Sequence, residues 1–118
     1  MKIRIKGNAL RYRLTKSDIV NLAGQGYVQE QTSFAEQPFI YALKAIEADT
    51  LSAGLWGNTI TLFMPKQMAA ELIYTDKVGF EARCGALQLL VEKDFTCLDT
   101  VDEDQSDNYP NPLALQKN

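Results

Sequence analysis

The chain has 118 residues, 46% of them apolar, which is one domain's worth and enough to bury roughly two-thirds of the unfolded surface. It contains no histidine, which excludes Ser-His-Asp, Cys-His and His-ligated metal chemistry, and no apolar run approaches the ~18 residues of a membrane span. The net charge of −3 is split: residues 1–16 carry +6 (Lys2, Arg4, Lys6, Arg11, Arg13, Lys16) and the remainder −9, with six acids (Asp94, Asp99, Asp102, Glu103, Asp104, Asp107) against Lys117 after residue 93.

Met1, Ile3 and Ile5 alternate with Lys2, Arg4 and Lys6, the period of a half-buried strand. Gly7-Asn8 is a two-residue hairpin signal, and Leu10, Tyr12 and Leu14 alternate with Arg11 and Arg13 as the returning strand. Thr15-Lys16-Ser17-Asp18 reads as a capping box with Asp in place of Glu. Ile19, Leu22 and Ala23 give a short helix its apolar face, and Gly24 and Gly26 stop it. A second hairpin follows, Tyr27–Phe34 and Phe39–Ile46, around Glu36-Gln37-Pro38.

A shift of fifty repeats this order. Leu51, Ala53 and Leu55 match Met1, Ile3 and Ile5; Gly57-Asn58 matches Gly7-Asn8; Ile60, Leu62 and Met64 match Leu10, Tyr12 and Leu14. Pro65, favoured at a helix start, stands where Thr15 stands, and Lys66, Leu72 and Val78 repeat Lys16, Leu22 and Val28. Beyond that point the shift changes by two, and Leu87, Leu89 and Val91 match Phe39, Tyr41 and Leu43, with a shorter turn at Arg83-Cys84-Gly85. Two hairpin–helix–hairpin units cannot bury their faces alone but can by interlacing. The expectation is an α+β fold: a small pseudo-two-fold β-barrel in one domain over 1–98, from repeats 1–48 and 51–95, with two short helices and an acidic C-terminal tail over 99–118.

The run Trp56-Gly57-Asn58-Thr59-Ile60-Thr61-Leu62-Phe63-Met64-Pro65-Lys66, a short helix, then Asp76-Lys77-Val78-Gly79-Phe80-Glu81 and Gly85-Ala86-Leu87 resembles the AbrB/MazE swapped-hairpin family. The match covers about 40 residues of the second copy, and 6–43 match more weakly. The whole chain also resembles a small bacterial domain family of unknown function. The AbrB/MazE resemblance implies a homodimeric barrel rearranged into one chain. It also implies DNA contact through Lys6, Asn8, Arg13 and Arg11 in the first copy. In the second copy the basic positions become Trp56 and Phe63, leaving Asn58 and Lys66 polar, so half of a two-fold DNA face is lost.

The basic ribbon needs a neutralising group, because like charges across a hairpin repel. DNA, a protein partner and the chain's own acids at 94–107 all qualify. The tail reads two ways. Acidic residues Asp102, Glu103 and Asp104 with apolar Leu98, Val101, Tyr109, Leu113 and Leu115 suit a MazE-like partner-binding extension, or a tail packed near Phe95–Leu98. Trp56 is read as packing within its hairpin, against Leu55 and Phe63. Asp102–Asp107 lacks the mid-loop Gly and distal Glu of a calcium loop, and two cysteines without histidine cannot close a zinc site.

No nucleophile–base spacing singles out a catalytic pair, Glu81 with Asp94 included, and Gly24-Gln25-Gly26 follows a helix rather than opening one. The expectation is a non-catalytic binding or regulatory protein without cofactor or metal, most simply one that binds a protein. A DNA-binding regulator using Lys6, Asn8, Arg11 and Arg13 is the alternative, and a MazE-like antitoxin a third. No secretion signal follows Met1, so a cytoplasmic location with reduced Cys84 and Cys97 is expected, as monomer or dimer.

Overall fold

The computed structural model describes residues 1–95 and 106–110. The elements run β1 (Lys2–Lys6), β2 (Ala9–Leu14), α1 (Lys16–Gln25), β3 (Tyr27–Ser33), β4 (Pro38–Ile46), β5 (Ser52–Trp56), β6 (Thr59–Pro65), α2 (Lys66–Tyr74), β7 (Gly79–Cys84) and β8 (Leu87–Lys93). The strands form two four-stranded sheets, ordered β1-β2-β8-β7 and β3-β4-β6-β5. Each sheet joins a hairpin from the first half of the chain to one from the second.

The joints are parallel. Ala9 opposes Gln88 and Leu14 opposes Lys93; in the other sheet Ile40 opposes Thr59 and Ala45 opposes Met64. Moving fifty residues on from β2 gives β6, and forty-eight back from β8 gives β4, so the two registers superpose. The backbone agrees: Gln88 donates to the Asn8 carbonyl at 2.8 Å, and Ile40 to the Asn58 carbonyl at 2.9 Å. One expected correspondence moves. Val28 opposes Leu43 and Phe80 opposes Val91, so Phe80, not Val78, is the counterpart of Val28. The cause is the connection after the helix. Gly26, left-handed at φ 66°, closes α1 in one residue, whereas Thr75 ends α2 in extended conformation and 75–78 lead to β7.

The expected closed barrel does not form, and the protein is mostly β. Hydrogen-bond ladders stop at β1 and β7 in one sheet and at β3 and β5 in the other, leaving two seams. At one seam the contacts are polar: the Met1 ammonium meets Glu30 at 3.3 Å, and Tyr41 Oη donates to the Met1 carbonyl at 3.0 Å. At this seam these polar contacts take the place of ladder bonds. Between the sheets lies one core, from Leu10, Tyr12, Leu14, Leu43, Leu62, Met64, Leu89 and Val91, with Ile19, Leu22, Ala69 and Leu72 from the helices. Tyr12 crosses it, stacking edge-on against Tyr41 at 6.2 Å and donating to the Ile60 carbonyl at 3.3 Å. Burial pushes its hydroxyl pKa well above the usual tyrosine range.

The registers place all four hairpin turns at one end and both helices at the other. At the first and third turns glycine leads with positive φ, Gly7 at 53° and Gly57 at 57°, the pattern of a II′ hairpin. At the helix end, Thr15 caps α1 with a capping box to Asp18, whereas Pro65 gives α2 no side-chain cap. Asp18 is buried and also takes the Met1 ammonium at 2.8 Å. Among the described residues no helix is long and apolar enough to cross a membrane.

Candidate binding face

Strand parity builds the site. Leu10, Tyr12, Leu14, Leu89 and Val91 point into the core, so Lys2, Arg4, Lys6, Ala9, Arg11, Arg13, Gln88, Leu90, Glu92, Glu81 and Arg83 share the outer face of the first sheet. The ladders set them in three cross-strand rows. Lys6-Ala9-Gln88-Arg83 lies nearest the turns, then Arg4-Arg11-Leu90-Glu81, then Lys2-Arg13-Glu92-Gly79.

Of the four expected contact residues, the structure brings Lys6 and Arg11 into one groove of about 260 Å³, with Arg4, Ala9, Leu10, Glu81, Gln88 and Leu90. Arg13 lines a smaller neighbouring depression of about 150 Å³ with Lys2, Ile3, Arg4 and Arg11. Asn8 is exposed in the turn, and its carbonyl is used by β8.

The cations are unequal. Arg11 Nε donates to Glu92 Oε1 at 2.6 Å, its terminal nitrogen pairs with the same oxygen, and Arg13 Nε reaches that oxygen at 3.1 Å. Lys2 pairs with buried Asp94 at 3.1 Å. Arg4, Lys6 and Arg83 make no ion pair or hydrogen bond to another described residue. Neutralisation of the ribbon among the described residues therefore comes from Glu92 on β8 as well as from Asp94 just after it. Glu92 was the residue sequence reading missed. Its signal is the pairing of β2 with a strand eighty residues away, which no local pattern announces.

The second sheet's outer face has lost most of this charge, although Lys44, opposite Phe63, stands where Glu92 stands in the first sheet. Lys6, Arg4 and Arg13 map onto Trp56, Gly54 and Phe63. The indole of Trp56 lies over Gly54, where an added Cβ would come within 2.2 Å of it, and meets Phe63 edge-on at 5.8 Å. Trp56 thus packs in its hairpin, yet 61% of it stays exposed. Asn58 is a structural tie, donating from Nδ2 to the Pro38 carbonyl at 2.7 Å, and Lys66 pairs with Glu47 at 3.3 Å, away from any DNA-like face.

The tail contributes at the helix end. Tyr109 N donates to the Asp94 carbonyl at 2.8 Å, Lys16 N to the Asp107 carbonyl at 3.2 Å, and the Tyr109 and Phe95 rings meet at 5.7 Å. The ammonium of buried Lys93 sits 5.1 Å above the Tyr109 ring and donates to the Thr75 carbonyl at 3.0 Å. Tyr109 is therefore part of the domain's own packing rather than a projecting anchor. Asp102, Glu103 and Asp104, with Cys97, Leu98, Val101, Leu113 and Leu115, lie outside the described residues. Cys84 is a half-buried free thiol.

A family model matches residues 1–113, which takes in both sheets and the docked segment 106–110. The chain belongs to DUF7009, a family of unknown function. The match is to that family and not to AbrB or MazE, so the sequence resemblance to the latter stays a likeness of motifs. No curated protein and no solved structure matches this DUF7009 chain.

Proposed function

We propose that this DUF7009 chain is a non-catalytic binding module that takes an acidic protein partner on the outer face of the β1-β2-β8-β7 sheet. The observation that carries the reading is that Arg4 and Lys6, lining a groove of about 260 Å³ beside paired Arg11, have no ion-pair partner among the described residues. Two unpaired cations on a rigid ribbon, with Ala9 and Leu90 as an apolar floor, suit carboxylates presented by a peptide. A duplex suits the face less well. Arg11 and Arg13 are held by Glu92, and Glu81 lines the groove, so few cations remain to release counterions from phosphates.

The test is fluorescence anisotropy at two salt concentrations with a labelled ten-residue Glu-Gly peptide and a labelled mixed-sequence duplex. The peptide is expected to bind wild type, more weakly at high salt. Arg4→Glu with Lys6→Glu is expected to weaken it by about tenfold. Tighter binding of the duplex, lost in the same variant, would replace the protein partner with nucleic acid; no binding of either probe refutes the reading.

A further inference from the structure

The helices seal one end of the space between the sheets; at the turn end nothing among the described residues covers it. There Ile5, Leu10, Ala53, Leu55, Ile60 and Leu87 line a second cleft of about 250 Å³. Every residue of its lining is apolar. Its rims are the pseudo-two-fold counterparts Ile5 and Leu55, 57% and 66% exposed. Large aliphatic side chains left in water at facing positions mark a contact surface.

We infer that this cleft takes the apolar side chains of the same acidic partner, so that the ligand is an extended peptide alternating acidic and apolar residues. The inference rests on the binding reading above and adds the cleft to it. Three observations carry it. The cleft and the basic groove share Ala9 and Leu10, so they form one continuous surface around the β1–β2 turn. The cations beside it are the unpaired ones: Lys6 and Arg83 end the row nearest the turns, and Arg4 begins the next. An extended chain sends successive side chains to opposite sides, and a path along this edge meets apolar cleft on one side and cations on the other. A second copy of this chain is disfavoured as occupant, because an isologous contact would bring Arg4 and Lys6 of both copies together. Phosphate backbones gain nothing from an all-apolar cleft.

The experiment compares two labelled ten-residue peptides, alternating Glu-Leu and alternating Glu-Gly, on the full chain at micromolar concentration. Wild type is expected to bind Glu-Leu about tenfold more tightly, the scale of one buried leucine side chain. Ile5→Ser with Leu55→Ser removes that advantage and leaves Glu-Gly binding unchanged. Leu55→Ser alone, at the more exposed rim, serves if the double variant does not fold. Arg4→Glu with Lys6→Glu weakens both peptides. Equal binding of the two peptides by wild type overturns the cleft and leaves the basic face standing; charge variants without effect on either peptide overturn both. Self-association of wild type that Ile5→Ser with Leu55→Ser abolishes would make a second copy the occupant and overturn the peptide.

Discussion

Arg11 Nε donates to Glu92 Oε1 at 2.6 Å across the parallel junction of β2 and β8, and Arg13 shares that oxygen. One carboxylate thereby holds two of the ribbon's cations inside the sheet. Glu92→Gln releases both. The expected result is a loss of about 1 kcal/mol in urea unfolding, the scale of a half-exposed charged hydrogen bond. Retention on a phosphate-bearing cation-exchange column is expected to rise in the same variant.

Reversing the arginines has the opposite consequence for stability. Arg11→Glu with Arg13→Glu gathers three carboxylates at one junction, where like charges on neighbouring strands repel. Unfolding free energy is expected to fall by about 2 kcal/mol at low salt, and part of the deficit to return at 1 M salt. Urea midpoints at the two salt concentrations check this, and they explain why Arg4 and Lys6 are the proper positions for binding tests.

Much of the fold was legible because its signals are local. Alternation marked the strands, Gly7-Asn8 and Gly57-Asn58 marked turns, and Thr15 to Asp18 marked the start of α1. What failed was long-range. The closed barrel assumed that ladders continue around both seams, and nothing in the sequence shows that Met1, Glu30 and Tyr41 settle one seam with side-chain contacts instead. The charged face was legible by parity, but which cations stay unpaired was not. That depends on Glu92 standing opposite Arg13, a register fixed only when β8 enters beside β2.

Asp18 is buried and accepts from Thr15 N at 2.9 Å, Thr15 Oγ1 at 3.0 Å and the Met1 ammonium at 2.8 Å. Asp18→Asn keeps an acceptor for the cap and leaves the ammonium with only the longer, more exposed pairing to Glu30. A loss of about 2–3 kcal/mol is expected by urea unfolding, and a larger one for Asp18→Ala.

Asp107 links the tail to α1. The neighbouring Thr15 and Ser17 hydroxyls, with the Lys16 ammonium, hold its carboxyl below the ordinary 3.8. A lowered folded pKa means the docked segment is favoured above about pH 3.8 and loses that contribution as pH falls through the lower folded value. Amide shifts of Asn108 and Tyr109, followed from pH 5 to pH 2, are expected to report this transition, and Asp107→Asn to remove it.

Gly54 makes room for the only tryptophan. Gly54→Ala drives a methyl into the Trp56 indole, which can swing toward solvent because it is already exposed. A red-shifted emission with a stability loss of only about 1 kcal/mol is expected.

The most direct test of the central claim is amide shift mapping of the full chain titrated with the Glu-Gly peptide. The account predicts perturbations centred on Arg4, Lys6, Ala9, Arg11, Gln88 and Leu90, collapsing as salt is added. Perturbations confined to the Trp56–Phe63 face or to the helix end, or none at peptide saturation of the salt-free sample, would contradict it.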